Sequence, residues 1–168
     1  MIKKGIKTFD EISVTFYEDT YSLYNLYRFA HYYEEAYGKY IWLKSGASLV
    51  IEHTEAMTVI DVNTGSVLKK KRQEDTLFYQ INREAAKEIA RQIRLRNISG
   101  IIMIDFINMK DEKQKEKLLL LLENECRKDR IHCNVVDMTA LNLVEMTRSK
   151  VRRPLLEQIT VCRKMQKN

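Results

Sequence analysis

The stretch SLVIEHTEAMTVIDVNTG, residues Ser48 to Gly65, organises the rest of the chain. Its apolar and β-branched residues predict one strand over Ser48–Glu52 and a second over Met57–Asn63, followed by an Asn-Thr-Gly turn signal. Alternate side chains of a strand share a face, so Asp61 and Asn63 project together. An acid and an amide on one face at a strand end indicate a working site, although both residue types are also common at turns.

A second acidic strand end follows the apolar segment GIIMIDFIN, Gly100–Asn108. The unbroken apolar run predicts a strand that is buried on both faces, with Asp105 at its carboxyl end. A carboxylate placed there is costly unless it is paired or bound to a metal. Two strands that end in Asp61 and Asp105 can bring carboxylates together around a hard divalent cation such as Mg²⁺.

Three segments of the chain strongly resemble the catalytic region of the ribonuclease E/G family, and they occur in that family's order. They are Lys44–Ser66, Asn82–Lys110 and Leu143–Leu156, within a similarity that covers roughly residues 20 to 160. The alternation of strands and helices already suggests a mixed α/β sheet. The resemblance implies a more specific fold, the deoxyribonuclease-I-like subdomain of that family, with a mixed sheet, flanking helices and metal ligands at strand ends.

The same resemblance implies roles for individual residues. Asp61 and Asp105 would hold a catalytic Mg²⁺, with Mn²⁺ as an alternative ion, and Asn63 would support them. The catalytic set is therefore Asp61, Asn63 and Asp105. Asn108 departs from the pattern, because it stands where the family usually has a second Asp.

Composition sets the broad class of the protein. The 168 residues fit one ordinary domain, and 45% hydrophobic and 31% charged residues are typical of a globular protein. A net charge of +6 favours anionic partners such as nucleic acid. We find no run long enough to span a membrane and no apolar segment behind the N-terminal lysines, so we expect no membrane association and no secretion. The three cysteines fit a reducing compartment, and we expect a cytoplasmic protein.

We expect three parts in the chain: an N-terminal strand and Tyr-rich helix over 1–40, a nuclease core over 41–160 and a basic tail over 161–168. Compared with the family that it resembles, we expect the chain to lack the S1 and 5′-end sensing regions. Cys162 is a single cysteine where the family has a pair, so we expect no zinc. Substrate affinity should therefore be weaker than that of a longer member.

Hydrophobic spacing predicts the remaining elements. The strongest is a helix from residue 75 to 96 with a buried stripe formed by Phe78, Ile81, Ala85, Ile89 and Ile93. The others are a strand over 11–17, a helix from Ser22 to Tyr37, a helix over 110–130, and strands over 131–136 and 143–147.

Several cations are candidates for RNA contact. Four consecutive cations, Lys69, Lys70, Lys71 and Arg72, form either a solvated loop or a contact to the phosphate backbone. Arg94 lies on the basic side of the predicted long helix, which is normally solvated, and Arg148 begins a basic group that follows the last strand. Seven tyrosines lie in the predicted helix or next to it, and they either stack on bases or pack the helix against the sheet, with packing favoured. They are Tyr21, Tyr24, Tyr27, Tyr32, Tyr33, Tyr37 and Tyr40.

These observations lead to one main hypothesis and two alternatives. The main hypothesis is a Mg²⁺-dependent endoribonuclease, a hydrolase of RNA processing or decay that cuts single-stranded RNA and leaves a 5′-phosphate and a 3′-hydroxyl. The first alternative is a non-catalytic RNA-binding or assembly module. The second is a structural role, in which the leucine-rich helix around 118–122 pairs with a second copy or with a longer homologue.

Overall fold

A computed structural model of the chain describes residues 16–65 and 74–158. The chain divides into two compact units, Met1–Tyr32 and Tyr33–Asn168. The predicted strand over 11–17 lies mostly outside the described residues, and its two described residues are not in a strand.

The helix expected from Ser22 to Tyr37 is interrupted, so that prediction is wrong in its continuity. Two helices replace it, α1 over Leu23–Leu26 and α2 over Phe29–Tyr37. Between them Arg28 adopts a left-handed conformation with φ of 51°. Helix α1 has no buried residue, so no packed apolar face stabilises a longer helix across this point.

The described residues of the second unit form one six-stranded sheet, and its mixed character confirms the prediction. Its strands are β1 Tyr40–Trp42, β2 Ser48–His53, β3 Met57–Asn63, β4 Gly100–Asp105, β5 Cys133–Met138 and β6 Leu143–Arg148. The strand order is β1-β2-β3-β4-β6-β5. Only β3 and β4 pair in parallel, and every other pair is antiparallel.

Two long helices supply the other half of the core. Helix α3, Glu74–Leu95, connects the parallel strands β3 and β4, and helix α4, Glu112–Cys126, connects β4 to β5. The predicted stripe of α3 is confirmed, with Phe78 partly buried at its start. Helix α4 buries Leu118 and Leu122 but leaves Leu120 57% exposed.

The two faces of the sheet differ in character. One face packs on the helices through alternate side chains of the central strands, among them Ile60, Ile102 and Ile104. The opposite face, which carries Asp61 and Asp105, is called the open face below. The expectation that β4 is buried on both faces is wrong, because Ile101 on the open face is 48% exposed.

Helix α3 ends in a Schellman motif, which sets the start of β4. Asn97 has φ of 50°, its amide bonds the Arg94 carbonyl at 3.2 Å, and the Ile98 amide bonds the Ile93 carbonyl at 3.0 Å. Strand β5 begins two residues later than predicted, because the Ile131 amide is held in a turn by Asp129 Oδ1 at 3.0 Å.

Candidate functional site

Asp61 and Asp105 are direct neighbours in the sheet. They are register partners in the parallel pair β3–β4, so both carboxylates project from the open face at the same level. Adjacent strands are about 4.8 Å apart, which leaves the two side chains within reach of one small ion. Val50 pairs with Asp61 on one side and Leu143 with Asp105 on the other, so both flanks of the pair are apolar.

Asn63 orients the first carboxylate, as the sequence predicts for that face of β3. Its Nδ2 donates a hydrogen bond to Asp61 Oδ2 at 2.7 Å. The contact joins residues two apart on the same strand face, so it depends only on the local strand geometry. Asp61 is thereby held in one orientation beside Asp105.

The electrostatics of the pair show that the two carboxylates are crowded. Partial desolvation and, second, the adjacent Asp61 carboxylate raise the pKa of Asp105 above its usual value. Like charges at this separation disfavour ionisation of both groups. A bound divalent cation would remove that repulsion.

The donor set fits a hard cation such as Mg²⁺ or Mn²⁺. Mg²⁺ is usually bound by one or two protein carboxylates, with water and phosphate oxygens completing its octahedron. Among residues 16–65 and 74–158, no group of three or more His, Cys, Asp and Glu side chains is arranged to hold a metal. On the open face, Asp61 and Asp105 could supply two protein ligands, which would leave the remaining positions to water and substrate.

Asn82 is a supporting residue that sequence reasoning missed. It lies on α3 and is fully buried. Its Nδ2 donates to the carbonyl of Ile107 at 2.7 Å, and its Oδ1 accepts from the amide of Ile107 at 3.0 Å. These bonds fix the chain immediately after Asp105. An amide directly next to Ile81 of the apolar stripe of α3 is the sequence feature that could have identified it.

Glu84 has a comparable role at the other side of the site. Its carboxylate accepts hydrogen bonds from the backbone amides of Lys44 at 2.7 Å and Ser45 at 3.2 Å. This interaction anchors the turn between β1 and β2 to helix α3. Asn108, which departs from the family pattern, follows β4 as an exposed residue.

Of the predicted RNA contacts, the two that the structure describes, Arg94 and Arg148, lie away from the aspartates. Arg94 donates from Nη1 to the carbonyl of Glu125 at 3.1 Å and so joins α3 to α4. Arg148 pairs with Gly100 at the opposite end of β4 from Asp105. The run Lys69, Lys70, Lys71 and Arg72 lies outside the described residues.

Arg148 occupies a buried position. Its side chain is 3% exposed and forms an ion pair with Asp129, from Nε to Oδ2, at 2.9 Å. Nη1 also donates to Asn97 Oδ1 at 2.9 Å and to the Ile98 carbonyl at 2.8 Å. This placement favours a structural role over the phosphate contact predicted for this residue.

His53, which is close to Asp61 in sequence, is remote from the pair in the structure. It faces Thr58 at the far end of the β2–β3 hairpin, where its Nδ1 lies 2.9 Å from Thr58 Oγ1. Burial and, second, the charge of Arg96 lower the pKa of His53.

In the part of the chain that the structure describes, no helix is both long and apolar enough to cross a membrane.

Comparisons with known proteins identify the family of the chain. A model of the ribonuclease E/G family matches residues 2–151. A protein named ribonuclease G from Escherichia coli K12 is 42% identical over 133 residues, which are 79% of this chain and 27% of that protein. A protein named ribonuclease E from Synechocystis is 35% identical over 162 residues, 93% of this chain and 24% of that protein.

A third relative, named ribonuclease G and from Haemophilus influenzae, is 42% identical over 139 residues, 83% of this chain and 28% of that protein. The chain thus spans about a quarter of the length of these relatives. Together, the family match and the identities show that the chain belongs to the ribonuclease E/G family.

Proposed function

We propose that the chain forms the catalytic core of a Mg²⁺-dependent endoribonuclease that hydrolyses single-stranded RNA. The observation that carries the proposal is the register pairing of Asp61 with Asp105 on the open face, with Asn63 bonded to Asp61. Family membership supports a ribonuclease activity. The metal, the substrate and the activity of this chain are part of the proposal.

The described residues would divide the work as follows. Asp61 and Asp105 bind the ion, and Asn63 keeps Asp61 in a fixed orientation through the 2.7 Å hydrogen bond. When bound, Mg²⁺ polarises the scissile phosphate and lowers the pKa of the attacking water. Asn82 holds the backbone after Asp105, so the second carboxylate keeps its place on the open face.

The charge balance of the chain supports a polyanionic substrate. A net charge of +6 favours association with RNA even though the open face carries carboxylates. Each phosphate contacted by a cation would add to the salt dependence of binding. By the family resemblance, cleavage should leave a 5′-phosphate and a 3′-hydroxyl.

The test is cleavage of an end-labelled, A/U-rich single-stranded RNA by wild type, Asp61→Asn and Asp105→Asn, each with Mg²⁺ or EDTA. Each variant should lose more activity than the about 10–100-fold typical of outer-shell changes, because a direct ligand is removed. Asp137→Asn is the matched control, since Asp137 is exposed on β5, two strands from β4.

Three outcomes would contradict the proposal. The first is cleavage that persists in EDTA, and the second is cleavage that survives in both aspartate variants. The third is RNA binding by a folded wild type without any cleavage, which would favour the non-catalytic RNA-binding module. Circular dichroism of each variant distinguishes loss of a ligand from loss of the fold.

A further inference from the structure

Two large aromatic side chains project from the open face at the edge of the sheet. Tyr40 and Trp42 lie on β1 and are 60% and 73% exposed, whereas Ile41 between them is 6% exposed and belongs to the core. The alternation places both rings on the same face. Exposed aromatic pairs of this kind are informative because large apolar groups are usually buried.

The rings lie in register with the candidate metal ligands. Tyr40 pairs with Val50, which pairs with Asp61, and Trp42 pairs with Ser48, which pairs with Asn63. The aromatic strand is therefore two strand spacings, about 10 Å, from β3. A stacked strand advances by about 3.4 Å per nucleotide, so this distance corresponds to about three nucleotide steps.

The surface between the rings and the carboxylates is low and uncharged. Ser48 is 6% exposed and Val50 is partly buried, so neither side chain rises between β1 and β3. Lys44, next to the end of β1, is exposed, and the Lys39 ammonium lies 5.8 Å from the centre of the Tyr40 ring. Lys39 is ion-paired with Glu52, so of these two cations Lys44 is the one placed to meet a phosphate.

From these positions we infer that Tyr40 and Trp42 form a stacking platform for bases of single-stranded RNA about three nucleotides from the cleaved bond. The RNA backbone would pass from β1 across Ser48 and Val50 to the Asp61–Asp105 pair. The inference rests on the proposed function, because it assigns the substrate-binding surface of that same site. Base stacking on an aromatic side chain contributes about 1–3 kcal/mol per base and tolerates any sequence.

The chemistry of the face favours RNA over a protein partner. Stable protein interfaces bury about 800 Å² on each side and have cores depleted of charged residues. Beyond the two rings, the next row of the open face carries carboxylates: Glu52 on β2, Glu145 on β6 and Asp137 on β5. A surface that changes from aromatic to acidic over a few strands fits a nucleotide chain that approaches a metal site.

Trp42 provides a direct probe because it is the single tryptophan of the chain. We would titrate a short A/U RNA with a terminal fluorophore into the wild type in EDTA, which prevents metal-dependent cleavage. RNA binding should quench the tryptophan emission and raise the fluorescence anisotropy of the labelled RNA. Both signals should reach half of their total change at the same RNA concentration. The same RNA with abasic sites at successive positions should lose the quenching when the stacked base is removed.

Substitutions give the second readout. Trp42→Leu and Tyr40→Leu should each weaken RNA binding by about 5- to 150-fold, the range of one lost stacking contact. Leu120→Ala is the matched control, since Leu120 is 57% exposed on α4, a helix that packs on the opposite face of the sheet. An equal loss in the control would overturn the assignment of stacking to β1.

The remaining outcomes separate this inference from the proposed function. RNA that binds and is cleaved while Trp42 emission stays constant overturns the platform and leaves the nuclease proposal intact. Quenching by RNA without cleavage in Mg²⁺ supports the platform and overturns the nuclease. A Trp42→Leu variant that changes the oligomeric state, with RNA affinity unaltered, would show that the face is a protein interface.

Discussion

Replacing Arg148 with methionine should destabilise the fold by about 3–5 kcal/mol, the cost of removing one partner of a buried ion pair. The guanidinium lies 2.9 Å from Asp129, and the two side chains are 3% and 7% exposed. Its further hydrogen bonds go to Asn97 and Ile98, which follow α3. The variant leaves Asp129 as a buried charge and removes the donor that joins β6 to the end of α3.

Urea unfolding followed by circular dichroism measures this loss, with an unchanged m-value as the check that the comparison is valid. Arg152→Met is the matched control, since Arg152 is exposed and should change stability by less than about 0.5 kcal/mol. The reasoning is refuted if Arg148→Met retains wild-type stability while the salt slope of RNA binding falls by about 1. That combination would identify Arg148 as a phosphate contact.

The pH dependence of the same pair gives an independent check. Burial opposes ionisation of Asp129, but hydrogen bonds from Arg148 and the Ile131 amide, together with nearby positive charge, hold the pKa of Asp129 below its usual value. A depressed pKa contributes stability that is present above the unfolded-state pKa, about 3.9 for Asp, and is lost as the pH falls through the folded-state pKa. The stability difference between wild type and Arg148→Met should therefore shrink in acid below about pH 4.

Three further changes test the site and its support. Asp61→Asn should lower the pKa of Asp105 towards its usual value, because the variant removes a like charge. An NMR titration that gives the same Asp105 pKa in both proteins would contradict the crowding of the pair. Asn82→Leu should lower the free energy of unfolding in urea by about 2–6 kcal/mol, because two backbone groups after β4 lose their hydrogen-bond partners. A decrease below about 1 kcal/mol would contradict the anchoring role. Gly65→Ala should lower the free energy of unfolding more than Gly100→Ala does in the same assay. Both residues have positive φ, but only a Cβ at residue 65 would lie 2.7 Å from a backbone oxygen. Equal losses of stability in the two variants would show that this clash relaxes.

Much of the fold could be predicted from periodicity. The apolar spacing of α3 and the alternating character of β2 and β3 follow directly from which side chains reach the core. The break at Arg28 could not be predicted, because the spacing before and after it is equally helical. The exposed residue Ile101 was also beyond prediction, since an apolar run does not reveal which face of the sheet α3 and α4 cover.

The site could be predicted only in part. Two strands that end in aspartate suggested that Asp61 and Asp105 would meet, and the structure shows why they do. The role of Arg148 could not be predicted, because a cation after a strand resembles any solvated residue. Its partner Asp129 precedes β5, and only the pairing of β5 with β6 brings the two side chains together.

The metal site and the hydrophobic core depend on the same register. Side chains alternate between the faces of a strand, so a slip of β4 by one residue would turn Asp105 into the core and expose Ile104. The fully buried Ile102 and Ile104 oppose such a slip from one side of the strand, and the two hydrogen bonds of Asn82 fix its exit. Because Asn82 lies on the helix that connects the parallel strands, the packing of α3 determines whether the carboxylates face each other. Metal affinity should therefore decline in variants that loosen α3 even when every acidic residue is retained.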